Sequence, residues 1–360
     1  VPNLTAEQQN VVRCIVRDIK KGDKQIISMG GFAGAGKTTC LAVMSEVLSS
    51  FSVCAYTGKA ANVLRKKGMN ASTIHSLIYR PETWGGKVEF VLIPPDEFGS
   101  DGFIVDEASM VSQDIYNDLL TFGKPIIFVG DHGQLEPVGS DVNVMADPMY
   151  RLETVHRNAG EIAHFAEHLR KGKGARSFDG TDKVEIISPG AVSNDHLTGV
   201  DQTICAFNKF RVGTNRSVRD LLGYSDHLLV PGDRVMCLRN NKDALLFNGM
   251  QGSVKSVDLE RRRMDFLWDD ILKDNLWFDD SQFHKEKPDF EWGRDTPHPF
   301  DYAYCITAHK SQGDEWQKVM VYEQVCDKWD HKRWAYTSAS RAKEKLYWIS
   351  QQRFRPSSWN

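Results

Sequence analysis

Short apolar runs recur through the first 150 residues, at 25–29, 51–56, 103–105 and 125–129, with amphipathic stretches between them. Uninterrupted apolar runs of strand length separated by helical patterns predict a parallel sheet covered on both faces. The same texture returns at 202–207, 318–322 and 345–350, with a helical pattern at 160–171, so a second α/β unit is expected. Two stretches break the pattern. Residues 80–95 alternate around Trp84-Gly85-Gly86-Lys87, and Gly-Gly supplies the positive φ angles of a tight hairpin turn. Residues 225–301 have β character, with turn pairs Pro231-Gly232 and Asn248-Gly249 and an acidic, Trp-rich tail after Lys255.

These boundaries divide the chain into a first domain at 1–150, with the 80–95 hairpin as an insertion, and a second at 151–224 and 302–360. A further insertion lies at 225–301. The seven cysteines (14, 40, 54, 205, 237, 305 and 326) are odd in number and widely spaced, which predicts buried, reduced thiols. No apolar run reaches the length of a membrane span, and residues 1–10 lack the features of a secretory signal, so the cytoplasm is the expected location.

Gly31-Phe32-Ala33-Gly34-Ala35-Gly36-Lys37-Thr38 fits G-x-x-x-x-G-K-[ST] between a strand and a helix, the context in which that motif binds nucleoside triphosphates. Backbone amides at Gly34, Ala35 and Gly36 and the helix start at Lys37, Thr38 and Thr39 can close on phosphate oxygens. Lys37 reaches the β and γ phosphates, and Thr38 ligates Mg2+. The apolar strand at 103–105 ends in Asp106-Glu107. Asp106 suits the Mg2+ shell, and Glu107 suits orientation and deprotonation of an attacking water, so hydrolysis is expected. Kinases, transporters and motors share these two motifs.

The remaining segments resemble superfamily 1 DNA helicases of the RecD-like and phage Dda-like branch, in order along nearly the whole chain. Leu4-Thr5-Ala6-Glu7-Gln8 looks like the Q motif, with Gln8 as the adenine reader; a plain helix start is the other reading. Tyr56-Thr57-Gly58-Lys59-Ala60-Ala61 resembles motif Ia. Ser72-Thr73-Ile74-His75-Ser76 resembles the Thr-Ile-His segment, and His75 taken alone also suits an ordinary loop histidine. Residues 129–138 resemble motif III, in which Gln134 senses the γ phosphate. Residues 152–158 and 336–343 resemble motifs IV and VI and offer Arg157 and Arg341 as arginine fingers. Residues 303–316 resemble motif V.

The resemblance implies two RecA-like P-loop motor domains, a pin hairpin and a small SH3-like barrel insertion, with ATP and Mg2+ as cofactors. It implies a nucleotide site built from Gln8, Lys37, Thr38, Asp106, Glu107, Gln134, Arg157 and Arg341, with Gly313 and Glu315 near the ribose and phosphates. Single-stranded DNA would meet Thr57, Lys59, Thr73, His75, Thr307, His309 and Lys310. Trp84 either wedges strands apart at a single-strand/duplex junction or packs back onto its own domain. The short insertion implies 5′ to 3′ movement. A monomer in a bacterial or phage-infected cell, working with replication, recombination or repair proteins, completes this picture. A nucleotide-switched DNA clamp and a DNA-indifferent P-loop kinase or transferase are the competing classes.

His164-Phe165-Ala166-Glu167-His168 fits an inverted zinc-protease pattern but follows motif IV, where a surface helix is expected. With 45 Lys plus Arg against 48 Asp plus Glu, the net charge of −3 excludes only a uniformly basic nucleic-acid binder. Residues 256–301 carry 7 basic and 13 acidic side chains, which suits a segment that faces away from the DNA path or repels DNA from a wrong route.

Overall fold

The structure, a computed structural model, describes residues 4–84, 87–136, 143–154, 160–224, 228–239, 241, 244, 246, 248–268, 271–289, 296–326 and 329–350, with the backbone alone at 59, 81, 83, 84 and 87–89. The chain divides into two compact units. The first comprises Val1–Lys173, Gln312–Asp314 and Lys332–Ser340, and the second holds Gly174–Ser311, Glu315–His331 and Arg341–Asn360.

In the first unit, α1 (Ala6–Lys21) opens on a Thr5 cap and closes at Gly22 in the left-handed region, φ 72°. There follow β1 (Ile26–Gly31), α2 (Lys37–Val47), β2 (Phe51–Ala55), α3 (Gly58–Lys66), β3 (Ala71–Thr73), α4 (Ile74–Ile78), the hairpin β4 (Tyr79–Trp84) and β5 (Lys87–Leu92), β6 (Gly102–Asp106), α5 (Gln113–Thr121), β7 (Ile126–Gly130), β8 (Tyr150–Leu152) and α6 (Glu161–Arg170). The six-stranded sheet runs β3-β2-β6-β7-β1-β8, parallel throughout. Its apolar strands serve two cores. Ile104, Ile127 and Val129 face the core shared with α1 and α2, while Phe103, Val105, Ile126 and Phe128 face the one holding Ile115 and Leu119 of α5. Both faces are covered, which explains why the strands read as continuous apolar runs. The first unit runs past the expected boundary at 150 to Lys173, because β8 pairs with β1 and extends the first sheet. The hairpin pairs Tyr79 with Leu92 through Trp84 with Lys87; its Gly85-Gly86 turn lies outside the described residues.

In the second unit, β9 (Val184–Ile187), α7 (Asn194–Thr198), β10 (Gln202–Cys205) and α8 (Asn208–Leu221) precede β11 (Arg234–Cys237), β12 (Gln251–Asp258), β13 (Arg263–Trp268), β14 (Ile271–Asp279) and β15 (His298–Tyr302). After these come β16 (Cys305–Thr307), β17 (Trp316–Tyr322) and β18 (Ala342–Ile349). The sheet order is β16-β10-β17-β18-β9, again parallel. Between β17 and β18 the chain forms α9 (His331–Ala339), most of which clusters with the first unit.

Strands β11 to β15 form a closed barrel. This corrects the view of the acidic, Trp-rich stretch as a tail, because it supplies most of the barrel wall. Along β13 and β14, Met264, Phe266, Leu276 and Phe278 enter the barrel core; Asp265 takes the alternating position between Met264 and Phe266, and Asp274 is exposed where the β13–β14 register shifts. Asp265 is partly exposed, whereas Asp301 of β15 is buried against Arg211.

Five cysteines are buried and all seven are free, but Cys14 and Cys326 are partly exposed, so burial was expected too broadly. No described helix is long and apolar enough to cross a membrane.

Candidate nucleotide site

Three neighbouring strands of the first sheet, β6, β7 and β1, end at the same edge. They deliver Asp106-Glu107, Asp131–Gln134 and the P-loop respectively, the carboxyl-end position at which open α/β sheets bind ligands. In the P-loop, Gly34 (φ 78°) and Gly36 (φ 85°) adopt left-handed backbone that disfavours other residues. A Cβ on Gly36 would also lie 2.3 Å from the Gln8 amide nitrogen. No side chain caps α2, which starts at Lys37, so its first-turn amides face the loop as a ready anion site. Thr38 and Thr39 stand in that turn.

Lys37 Nζ donates to the carbonyls of Gly31 (2.8 Å) and Phe32 (3.1 Å), and lies 3.5 Å from Asp131 Oδ2. Asp131 is 2% exposed and also accepts from Gly133 N at 2.9 Å. Gln134 is buried; its Nε2 lies 3.5 Å from Asp131 Oδ2, while its Oε1 has no hydrogen-bond partner among the described residues. An orphaned buried amide oxygen is costly and points to a group that it is built to meet. Asp106 sits at the end of β6, where burial pushes its carboxyl up. Glu107 follows with φ 53° and ψ 39°, a strained backbone for a side chain of this kind. Thr38 and Asp106 offer the hydroxyl and carboxylate oxygens that Mg2+ takes alongside phosphates.

Gln8 closes a capping box with Thr5, its Oε1 accepting from Thr5 N at 3.0 Å, and its Nε2 donates to Ala35 O at 3.0 Å. Both ends of the amide are therefore engaged with protein backbone, bracing α1 against the P-loop.

Sequence reasoning missed several residues here. The guanidinium of Arg170, held by Glu167 at 2.6 and 2.7 Å, covers the Phe32 ring at 3.8 Å. His132 packs on Phe32 at 4.2 Å, and its own burial lowers its pKa. Tyr336 of α9 donates to Asp131 Oδ2 at 2.6 Å and accepts from Ala33 N at 2.6 Å. Only its position in the motif VI segment, five residues before Arg341, drew attention to it in the sequence. Within the inverted zinc pattern, Glu167 is engaged by Arg170 and Lys171.

Of the nucleic-acid candidates in the first unit, Thr57 caps α3 and Thr73 caps α4 through their hydroxyls. His75 stacks on Tyr79 at 5.7 Å. Gly313 (φ 78°) is placed beside Thr57, since a Cβ on it would lie 3.5 Å from the Thr57 methyl. The side chains of Lys59 and Trp84, and all of Arg157, lie outside the described residues. In the second unit, Thr307 ends β16 next to Cys205 of β10, and His309 is exposed. Lys310 Nζ donates to Asn248 at 2.7 Å, and burial lowers its pKa. Glu315 pairs with Lys343 at 3.1 Å. Arg341 is buried, and its carbonyl accepts from Trp316 N at 2.9 Å.

Residues 3–190 match the family described as AAA domain, more than half of the chain. The chain belongs to that family. This AAA-domain protein also matches the UvrD-like helicase C-terminal domain over residues 302–349. It is 26% identical over 388 residues to the ATP-dependent RecD2 DNA helicase of Deinococcus radiodurans, covering 96% of this chain and 48% of that protein. It is 31% identical over 191 residues to the ATP-dependent DNA helicase dda of Enterobacteria phage T4, covering 48% of this chain and 43% of that one. The chain thus spans less than half the length of these curated relatives. Its fold is similar to Bacteroides Pif1 bound to single-stranded DNA, with TM-score 0.60, 19% identity, and coverage of 97% of this chain and 93% of the other. The AAA-domain protein is thus similar in sequence to the RecD2 and dda helicases and in fold to Pif1.

Proposed function

We propose that this protein is an ATP-driven motor that translocates 5′ to 3′ on single-stranded DNA and separates duplex strands at junctions. The observation that carries the reading is the convergence of the P-loop, Asp106-Glu107 and Gln134 at one sheet edge, with the Gln134 Oε1 buried and without a partner among the described residues. ATP binds with its phosphates on the P-loop amides and Lys37. Thr38 and Asp106 would hold magnesium, which would supply neutralisation of the phosphate charge. Glu107 orients and deprotonates the attacking water, and Gln134 reports the γ phosphate. Arg157 and Arg341 supply guanidinium groups that stabilise charge on the transferred phosphoryl group. The engaged amide of Gln8 favours a bracing role for it, with adenine recognition requiring that amide to turn.

Thr57, Lys59, Thr73, His75, Thr307, His309 and Lys310 contact single-stranded DNA, the substrate class named for the Pif1 neighbour. The β4–β5 ribbon acts as the strand-separating pin with Trp84 at its tip, and the β11–β15 barrel corresponds to the SH3-like insertion. Its acidic wall is turned from the phosphate track. ATP hydrolysis with and without single-stranded DNA tests the reading. Stimulation that Lys37→Ala abolishes is expected, and a flat response overturns it. Unwinding of partial duplexes bearing a 5′ or a 3′ tail tests direction; preference for the 3′ tail overturns the polarity, and stimulated hydrolysis with no unwinding favours the clamp.

A further inference from the structure

Arg333, Tyr336 and Thr337 lie on one face of α9, at the i, i+3 and i+4 positions of a helix. All three bond to the segment that follows β7. Arg333 donates to the Gln134 carbonyl at 3.1 Å, and Thr337 Oγ1 accepts from Leu135 N at 2.9 Å. The Tyr336 hydroxyl donates to Asp131. Tyr336 also reaches the P-loop, through Ala33 N. It is 1% exposed. Its ring meets Phe32 edge-on at 6.1 Å, and a Cβ on Gly133 would come within 3.1 Å of both rings.

We propose that Tyr336 is a positioning residue for ATP hydrolysis, acting through Asp131 on Lys37. The proposal rests on the motor reading above and adds a residue to its phosphate site. The physical argument is one of donors and acceptors. Asp131 Oδ2 lies between the Tyr336 hydroxyl and the Lys37 ammonium, at 2.6 and 3.5 Å. A 2.6 Å O–H···O contact to a carboxylate is in the range of a strong, charge-assisted bond. It fixes the rotation of the carboxylate, and with it the direction in which Lys37 is drawn. The same hydroxyl is the acceptor for the Ala33 amide, so one oxygen sets two points on the loop that Lys37 closes. Phenylalanine would fill the same volume yet remove the 2.6 Å hydroxyl donor from Asp131 Oδ2 and the hydroxyl acceptor from Ala33 N. The hydroxyl therefore has a role that ring packing does not explain.

The test compares wild type, Tyr336→Phe, Asp131→Asn and the double variant in steady-state ATP hydrolysis with saturating single-stranded DNA, alongside thermal unfolding of each. Misplacing Lys37 weakens transition-state alignment more than ground-state binding. Tyr336→Phe is therefore expected to lower kcat about tenfold while KM for ATP changes less than about threefold. Because both residues act through one chain of contacts, the double variant is expected to be no slower than Asp131→Asn alone. Wild-type kcat in Tyr336→Phe, a lowered Tm with unchanged kcat, or losses that multiply in the double variant would overturn the proposal. If Tyr336→Phe does not fold, wild-type kcat in Asp131→Asn overturns it equally. Failure of the motor reading is distinct, since wild type and Lys37→Ala would then be equally inactive.

Discussion

Arg219 and Asp233 form a fork-on-fork ion pair at 2.9 and 3.0 Å, with side chains 2% and 0% exposed. Arg219 lies on α8 and Asp233 just before β11, so the pair joins the helix to the barrel within one unit. The Arg219 guanidinium covers Tyr302 at 4.1 Å, and Tyr304 donates to the same carboxylate at 2.9 Å. Removing one partner leaves a buried charge without its counterion. Arg219→Ala should lower unfolding free energy by about 3–5 kcal/mol. Urea denaturation measures this, and a loss below about 1 kcal/mol would show that the pair does not hold the barrel.

Glu107 joins strain to chemistry. Glu107→Gln should cut ATP turnover by two orders of magnitude or more, since it removes the base. Glu107→Gly should abolish turnover as well, yet keep stability within about 1 kcal/mol of wild type, because glycine accepts φ 53° freely. Glu107→Val should cost on the order of 1–3 kcal/mol. Equal stability of the glycine and valine variants would contradict the strain argument.

Asp18 is held down to about 2 by the Tyr150 hydroxyl at 2.7 Å, with Lys24 and Arg17 adding to the effect. Its folded pKa lies below the ordinary carboxylate value. Its stabilisation is therefore complete above about pH 4 and is lost as pH falls toward 2. Thermal unfolding of Asp18→Asn should show a shallower acid slope than wild type across that window. Parallel slopes would dismiss the role of Asp18.

Trp84→Ala should leave DNA-stimulated ATP hydrolysis near wild type and lower duplex unwinding about tenfold, if an aromatic face at the ribbon tip stacks on the last base pair. Stopped-flow unwinding of a forked substrate reads this directly. Unchanged unwinding would remove the wedge.

The P-loop was legible because its chemistry lies in eight consecutive residues, and the strands because burial on both faces leaves no polar alternation. The barrel wall was harder to read, since charged and polar residues such as Arg263, Asp265, Asp274 and Asn275 stand among the core positions of β13 and β14, and the run resembles a charged tail. Tyr336 was illegible for a different reason. Its partner Ala33 is 303 positions away, and no spacing along the chain encodes that meeting. The Glu315–Lys343 pair was hidden in the same way, as was the turning of Gln8 toward Ala35.

The strand order of the first sheet also has a bearing on synthesis. β1, which carries the P-loop, pairs only with β7 and β8, and its register joins Ile26 to Ile126. A ribosome adding about 5–20 residues per second needs roughly 5–20 s to make that intervening stretch. Through that interval the strand bearing the phosphate loop waits with both hydrogen-bonding edges open. The nucleotide pocket is thus among the last parts of its unit to take shape, and a nascent chain stalled before residue 126 would expose its apolar first strand to chaperones or to aggregation.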